Sequence, residues 1–143
     1  MSRNIEDLEY STRVKATLAY KQMDAALKDL GYDGVYISET KRTLTVQMAY
    51  YSRGRMDPAD VKRMYAAAGL YAITTEEAKV KNTWTLQSNH ISGNAVDFVP
   101  LKNGKPVWDA PEEVWNEMGR IGKGCGLKWG GDWPQRDLPH FEN

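Results

Sequence analysis

The most constraining feature of the sequence is a β-hairpin pattern in its second half. The run Ala95-Val-Asp-Phe-Val-Pro-Leu101 is β-prone, the turn Lys102-Asn-Gly-Lys105 follows it, and Pro106-Val-Trp108 comes next. Asn-Gly between two β-prone runs is a strong signal for a two-residue hairpin loop. The chain is therefore expected to contain an antiparallel sheet, one strand of which carries Asp97 between a valine and a phenylalanine.

Helical patterns dominate the chain before that hairpin. The stretch Asn4–Leu30 predicts a helix with an apolar stripe of Val14, Leu18 and Ala25, and further apolar residues lie beside that stripe: Tyr20, Met23, Leu27 and Leu30. After the hairpin, Asp109 is predicted to cap another helix. The remaining predicted elements are a strand at 34–38, helices at 43–53 and 58–69, a helical turn at 75–78 and a short strand in the tail. This arrangement predicts a single α+β domain over residues 1–143, with N-terminal helices packed on a small antiparallel sheet.

Composition excludes several classes of protein. Nineteen Lys and Arg residues balance nineteen Asp and Glu residues, so no basic field exists to drive non-specific nucleic-acid binding. One cysteine excludes an internal disulfide and a Cys-rich zinc site. The first residues alternate charged and apolar side chains and no long apolar run follows, so we expect no signal peptide and no membrane insertion. We also expect a monomer.

The only two histidines, His90 and His140, lie in settings that indicate a metal site. Gly93 allows a turn between His90 and the strand that carries Asp97. A carboxylate among apolar neighbours needs a partner, and a metal ion would supply one. Two imidazoles and one carboxylate suit Zn²⁺ with a fourth position left for water, although the same set can hold Mn²⁺, Co²⁺ or Ni²⁺. The predicted sheet then carries the metal site.

The same tail offers a general base. Water activated by a metal needs a nearby carboxylate to take and return its proton, and Asp137, three residues before His140, is the best-placed candidate. Taken alone, each residue has an ordinary alternative: a structural histidine, a hydrogen-bonded core aspartate, or an Asp137 that caps a loop. A Cys–His hydrolase built from Cys125 and His140 is a further alternative. It is disfavoured because Cys125 directly follows a helix, between two glycines, where a small residue fits as packing.

In their full settings these residues resemble the M15 family of zinc peptidases, which act on peptidoglycan. The family's Ser-x-His-x-x-Gly-x-Ala-x-Asp pattern is matched by residues 88–97. Its Trp-Gly-Gly-Asp-Trp and Asp-x-Pro-His-Phe patterns are matched by residues 129–133 and 137–141. An upstream segment, from Glu39-Thr-Lys-Arg-Thr43 through Gln47 to Tyr50-Tyr-Ser-Arg-Gly-Arg55, is similar to a further family pattern. The segment Met56–Trp84 is longer than the corresponding link in the family.

The resemblance implies roles for individual residues. His90, Asp97 and His140 would bind Zn²⁺, and Asp137 would be the general base. Arg42 would bind substrate or stabilise the developing oxyanion; without the resemblance it would be assigned to a surface salt bridge. Glu142 either orients His140 or is a solvated charge near the terminus. Two further residues complete the predicted site, both as substrate contacts: Ser88 and Trp133. Trp108 and Trp115 are predicted to belong to the core.

The resemblance also implies a function. We expect a zinc-dependent peptidase of the phage or prophage endolysin type that hydrolyses the peptidoglycan stem peptide at the L-alanyl–D-glutamate bond. D-alanyl-D-alanine carboxypeptidase activity is the alternative within the family, and a non-catalytic zinc-containing wall-binding module is the alternative of another class. The chain would be made in the cytoplasm and reach the cell wall through a holin-type route.

Overall fold

Five helices and five strands make up the structure, a computed structural model that describes residues 1–143. The helices are α1 (Tyr10–Asp29), α2 (Leu44–Ser52), α3 (Pro58–Ala67), α4 (Thr75–Ala78) and α5 (Glu112–Gly124). The strands are β1 (Gly34–Glu39), β2 (Ala95–Lys102), β3 (Lys105–Pro106), β4 (Lys128–Trp129) and β5 (His140–Glu142). Two short 3₁₀ turns lie at Ile5–Asp7 and Gly130–Asp132. None of the helices combines the length and the apolar character that crossing a bilayer requires.

The strands form one antiparallel sheet in the order β1-β2-β5-β4, with β3 paired to the far end of β2. The predicted hairpin joins β2 to β3, and Asn103 and Gly104 both have positive φ, as a two-residue turn of this kind requires. The predicted α+β class with an antiparallel sheet is confirmed.

The main core lies between the sheet and the two long helices. Phe98 of β2 and Phe141 of β5 pack against each other with ring centroids 5.6 Å apart. Trp115 and Met118 of α5 and Met23 of α1 complete this layer, and all five side chains are almost fully buried. Side chains alternate along a strand, so Asp97 points away from the face that Phe98 packs against.

The buried face of α1 differs from the predicted stripe. Val14 and Leu18 are about half exposed, at 52% and 49%, and Ala25 is exposed as well. The buried positions form a neighbouring stripe, which includes two of the residues predicted to lie beside the apolar stripe, Met23 and Leu27: Thr12, Ala16, Ala19, Met23 and Leu27. In the first half of α1 the buried residues are the small ones, Thr12, Ala16 and Ala19, while the larger Val14 and Leu18 face outwards, so hydrophobicity alone does not select the buried face. The helix also begins at Tyr10, since Asn4 caps only the preceding 3₁₀ turn.

Two predictions around α5 are wrong. Asp109 does not cap the helix, which begins at Glu112 with Pro111 at the N-cap position. The residue before a proline is disfavoured in the helical region, so Ala110 cannot serve as the first helical residue. Trp108 is 57% exposed rather than part of the core, whereas Trp115 is buried as predicted.

The segment Met56–Trp84 folds onto α2 as a second, smaller unit. Helix α3 begins after the Asp57 cap as predicted, and α4 carries a capping box between Thr74 and Glu77. Their apolar side chains form a separate cluster with α2: Ala49, Val61, Tyr65, Ile73 and Ala78. Arg55 holds the end of the segment in place, because its guanidinium donates a hydrogen bond to the Thr83 carbonyl at 2.9 Å.

A pair of glycines in α5 tests this packing. A Cβ at Gly119 would overlap the ring of Trp129, whereas a Cβ at Gly124 would meet nothing within 4 Å. We expect Gly119→Ala to lower the free energy of unfolding by about 1–3 kcal/mol, as overpacking does. The matched control Gly124→Ala should leave stability unchanged or raise it by up to ~1 kcal/mol, because alanine favours helix. Urea unfolding of both variants measures the difference. Equal stabilities would contradict the close contact between Gly119 and the ring of Trp129.

Candidate metal centre

Three neighbouring strands bring acidic and imidazole side chains into one row. Asp97 of β2 is directly opposite Glu39 of β1 on one side and His140 of β5 on the other. Directly opposed residues have Cβ atoms about 4.5–5.5 Å apart, so strand register alone places these three side chains together. The register could not be read from the sequence, because the three strands are far apart along the chain.

His90 reaches the same row from the turn that precedes β2. The turn is closed by backbone hydrogen bonds from Ile91 to Ser88 (3.0 Å) and from Asn94 to Asn89 (2.8 Å). Nε2 of His90 lies 3.2 Å from Oδ1 of Asp97, and Nδ1 of His140 lies 3.3 Å from the same oxygen. The three predicted ligands therefore converge, with their ligand atoms within 4.8 Å of one another.

In each imidazole one ring nitrogen, called the inner nitrogen, faces Asp97. The other, outer nitrogen has its own hydrogen-bond partner. Nδ1 of His90 donates to the carbonyl of Thr40 at 2.6 Å, and Nε2 of His140 donates to Glu142 at 3.1 Å. Glu142 is in turn held by the amide of Asn89 at 2.7 Å. These bonds fix the tautomers that leave a lone pair on each inner nitrogen, as metal-ligating histidines require. Two inward lone pairs and one carboxylate are a donor set that fits a divalent metal such as Zn²⁺.

The charges within this cluster are strongly coupled. Burial alone would raise the pKa of Asp97, but the neighbouring charges and hydrogen bonds of His90 and His140 outweigh it and hold that pKa well below its usual range. Burial alone would lower the pKa of His140, but its hydrogen bonds to Asp97 and Glu142 raise it to about 9. At neutral pH Asp97 is therefore ionised, whereas His140 carries a proton on its inner nitrogen that a metal ion would displace on binding.

Asp137 lies on the loop that leads into β5. Its backbone N–H donates to the carbonyl of Gly130 at 2.9 Å, and its own carbonyl accepts from His140 at 3.2 Å. A Cβ at Gly130 would overlap that carbonyl, so glycine is needed for this close approach. The Asp137 carboxylate has no hydrogen-bond partner in the protein. Removal from bulk water raises its pKa, the charge of Asp97 adds to the increase, and the cations nearby oppose it.

Arg42 is held by two side chains rather than by a surface salt bridge. Nε and Nη2 donate to the two carboxylate oxygens of Glu39 at 2.7 and 2.6 Å, and Nη1 donates to Gln47 at 2.6 Å. The guanidinium also lies 4.7 Å from the ring centroid of Tyr50. Three of its five N–H groups are used in this way, which leaves two without a protein partner beside the cleft.

Sequence reasoning did not assign a role to Glu39, although it is buried beside Asp97. The pairing of β1 with β2 is irregular between Ile37 and Glu39, where an extra residue is inserted. In a regular strand these two residues would share a face, and Glu39 would point at the core with Ile37. The bulge turns the Glu39 side chain towards Asp97 instead. The signal in the sequence was an acid three residues before Arg42 at the end of a β-prone run.

A main cleft of about 980 Å³ surrounds the cluster. Trp133 lies in its wall, 37% exposed, with its ring centroid 4.9 Å from that of His140. Ser88 also lines the cleft, and its hydroxyl accepts the backbone N–H of His90 at 3.3 Å. The predicted site residues therefore all line this one cavity: Arg42, Ser88, His90, Asp97, Trp133, Asp137, His140 and Glu142.

Cys125 lies outside the main cleft, at the C-terminal end of α5. Its Sγ faces the side chain of Gln22 at 3.7 Å, and burial raises the pKa of the thiol. A raised pKa disfavours the thiolate that a nucleophile needs. The geometry therefore offers no support for a hydrolase built from Cys125 and His140.

The hydrogen bond from His140 to Glu142 gives a prediction about metal affinity. We expect Glu142→Ala to weaken Zn²⁺ binding about 10- to 100-fold, because the imidazole loses the partner that fixes its tautomer and orientation. Competition with a chromogenic chelator measures the change. Glu113→Ala, an exposed glutamate in the first turn of α5, is the matched control and should leave affinity as it is. Equal affinities in all three proteins would show that Glu142 is only a solvated charge.

Comparison with known proteins gives concordant matches. The M15 peptidase family model described as D-alanyl-D-alanine carboxypeptidase matches residues 81–143. The peptidoglycan L-alanyl-D-glutamate endopeptidase CwlK of Bacillus subtilis is 30% identical over 129 residues, which cover 84% of this chain and 66% of CwlK. The L-alanyl-D-glutamate peptidase of Escherichia phage T5 is 40% identical over 52 residues, 33% of this chain and 38% of that protein. The chain therefore spans just under two thirds of CwlK and well under half of the phage protein.

The fold has a counterpart among solved structures. The crystal structure of the Serratia marcescens L-Ala D-Glu endopeptidase ChiX aligns with a TM-score of 0.58 and 20% identity, over 97% of this chain and 82% of that chain. This likeness concerns the fold, while the family-model match over residues 81–143 includes His90, Asp97 and His140. The chain belongs to the M15 family of peptidases.

Proposed function

We propose that this protein is a zinc-dependent peptidase that hydrolyses the stem peptide of peptidoglycan at the L-alanyl–D-glutamate bond. The observation that carries the proposal is the convergence of His90, Asp97 and His140 beside an unpartnered carboxylate, Asp137, in one open cleft. The names of the relatives in Bacillus subtilis and phage T5 support the choice of bond. A bound Zn²⁺ ion supplies Lewis-acid chemistry, polarising a carbonyl and acidifying water at neutral pH.

Asp137 performs the proton transfers in this proposal. Its carboxylate takes a proton from the attacking water and later gives it to the nitrogen of the departing D-glutamate. Two features of the residue support this role: its carboxylate makes no hydrogen bond within the protein, and its backbone is fixed by bonds to Gly130 and His140. The group is thus held in place by its main chain while its side chain stays free to exchange protons.

Arg42 provides a fixed positive charge beside the reacting carbonyl. Glu39 and Gln47 hold the guanidinium in one orientation, so little reorganisation is needed when negative charge develops in the transition state. The two remaining N–H groups are available to a carbonyl oxygen of the substrate. The same geometry lets Arg42 bind the ground-state peptide, and a separation of kcat from KM distinguishes the two roles.

Metal removal and product analysis test the proposed function. Incubation with purified peptidoglycan should create new N-terminal D-glutamate, identified by mass spectrometry. Chelation should abolish the product, and added Zn²⁺ should restore it. Released D-alanine without new N-terminal D-glutamate would instead indicate the carboxypeptidase activity. Binding to the wall without any cleavage would contradict an enzymatic function and support the non-catalytic module.

D-alanyl-D-alanine carboxypeptidase activity is the second candidate, because the family model that matches residues 81–143 carries that description. The endopeptidase is preferred because the CwlK match extends over 84% of the chain.

The proposal also extends to cellular context. In this proposal the enzyme acts on the peptidoglycan stem peptide and binds neither nucleic acid nor membrane. It acts as a monomer. Zero net charge supports the exclusion of nucleic acid. The phage relative supports action on the wall after release from the cytoplasm through a holin-type route.

A further inference from the structure

A second cavity meets the metal-binding cluster from another side. It encloses about 540 Å³ and shares Glu39, Tyr50, Asp97 and Trp108 with the main cleft. Because the two cavities join at the cluster, a peptide whose scissile bond lies there can extend into both. The second cavity is called the aromatic groove below, after its rings Tyr36, Tyr50, Tyr71 and Trp108.

The two cavities differ in their chemistry. Tyr71 and Trp108 of the aromatic groove are 56% and 57% exposed, so their rings are available for contact with a ligand. Exposed rings gathered along one groove are typical of binding sites rather than of ordinary surface. The main cleft instead contains many neutral hydroxyl and amide side chains: Asn82, Thr83, Thr85, Gln87, Asn89 and Gln135.

The aromatic groove also contains an unpaired cation. Arg3 is exposed, its Nε donates to the carbonyl of Ser38 at 3.2 Å, and its guanidinium lies 5.9 Å from the ring centroid of Tyr36. Its terminal N–H groups have no carboxylate partner. The two arginines of the main cleft are both engaged, Arg42 by Glu39 and Arg136 by Glu112. Arg3 is therefore the only arginine lining either cavity that has no carboxylate partner, which makes it the available counter-charge for an anionic part of the substrate away from the cluster.

We propose that the aromatic groove binds the acidic, C-terminal part of the stem peptide, and that Arg3 pairs with the side-chain carboxylate of a diaminopimelate residue. This inference rests on the proposed function. On the C-terminal side of the cut bond the stem carries D-glutamate and then a diamino acid, and meso-diaminopimelate differs from lysine by one side-chain carboxylate. The alanine and the sugar on the other side are neutral, which matches the hydroxyl and amide groups of the main cleft. The orientation of the substrate across the cluster follows.

Two synthetic peptides that differ in that carboxylate test the assignment. The zinc-loaded enzyme is given acetyl-L-Ala-γ-D-Glu-meso-diaminopimelate and acetyl-L-Ala-γ-D-Glu-L-Lys. We expect Arg3→Gln to raise KM for the diaminopimelate peptide about two- to fivefold, the upper part of the range for an exposed charge pair, with kcat changed less than twofold. KM for the lysine peptide should stay unchanged. Arg120→Gln, an exposed arginine of α5 outside both cavities, should alter neither peptide.

A binding measurement separates this inference from the proposed function. Calorimetry with the product dipeptide γ-D-Glu-meso-diaminopimelate needs no turnover, and the affinity of the protein for it should fall about two- to fivefold in Arg3→Gln. Failure of the wild type to cleave either peptide would overturn the proposed function, whereas weaker binding by the variant would still support the groove. Equal effects of Arg3→Gln on both peptides, or unchanged dipeptide affinity, would overturn the groove assignment alone.

Discussion

Replacement of Asp137 by asparagine is expected to lower kcat on an L-alanyl–D-glutamate peptide about 10²- to 10⁴-fold, the usual contribution of a positioned general acid–base group. Asparagine has nearly the same shape but cannot take a proton from water or return one to the leaving amine. The hydrogen bonds that fix the loop come from the backbone of residue 137 and are kept in the variant. Zinc content and melting temperature should therefore equal those of the wild type.

The loss of kcat must be distinguished from a general effect of charge on this loop. Asp132→Asn is the matched control, because Asp132 lies on the same loop and pairs with Lys123 at 3.0 Å outside the main cleft. That variant should keep the rate of the wild type. If Asp137→Asn kept full rate with normal zinc content, Glu142 would become the candidate base, since its carboxylate also lines the cleft and contacts the ligand His140.

The ligand set could be predicted from the sequence because its information is local. The chain has only two histidines, and each lies in a short motif with its own turn residues, so the candidates were few. Their orientation could not be predicted in the same way. Which ring nitrogen faces the cluster depends on the Thr40 carbonyl and on Glu142, and the Thr40 contact joins residues 50 positions apart.

The missed and misplaced residues have a common physical cause. Glu39 enters the site only through a bulge in β1, and bulges depend on how one strand pairs with another. The buried face of α1 includes Thr12, Ala16 and Ala19 in place of the more hydrophobic Val14 and Leu18, which depends on the neighbours that the helix packs against. Trp108 is aromatic and adjacent to the predicted hairpin, yet it faces the two cavities rather than the core. Periodicity predicted the elements well, whereas contacts between elements decided the details of the site.

The ion pair between Glu39 and Arg42 gives the second large expected effect. Their side chains are only 7% and 10% exposed, and removing one partner of a buried pair typically costs about 3–5 kcal/mol. We expect Glu39→Gln to lower the free energy of unfolding by about 3 kcal/mol. This is the low end of that range, because Gln47 still accepts a hydrogen bond from the guanidinium. For a domain of this size the Tm should fall by about 10 °C. Catalysis should weaken as well, since Arg42 is no longer held in one orientation.

An exposed ion pair of the same geometry shows whether burial or pairing causes the loss of stability. Glu117 and Arg120 of α5 also form a two-bond pair three residues apart, but their side chains are 34% and 70% exposed. Glu117→Gln should cost less than ~1 kcal/mol, as surface pairs do. The double variant Glu39→Gln/Arg42→Gln removes the stranded charge, so it should regain part of the lost stability without regaining activity. If Glu39→Gln were as stable as Glu117→Gln, the pair between Glu39 and Arg42 would not stabilise the site. Leaving the buried Arg42 charge without its partner should lower stability far more than breaking an exposed pair.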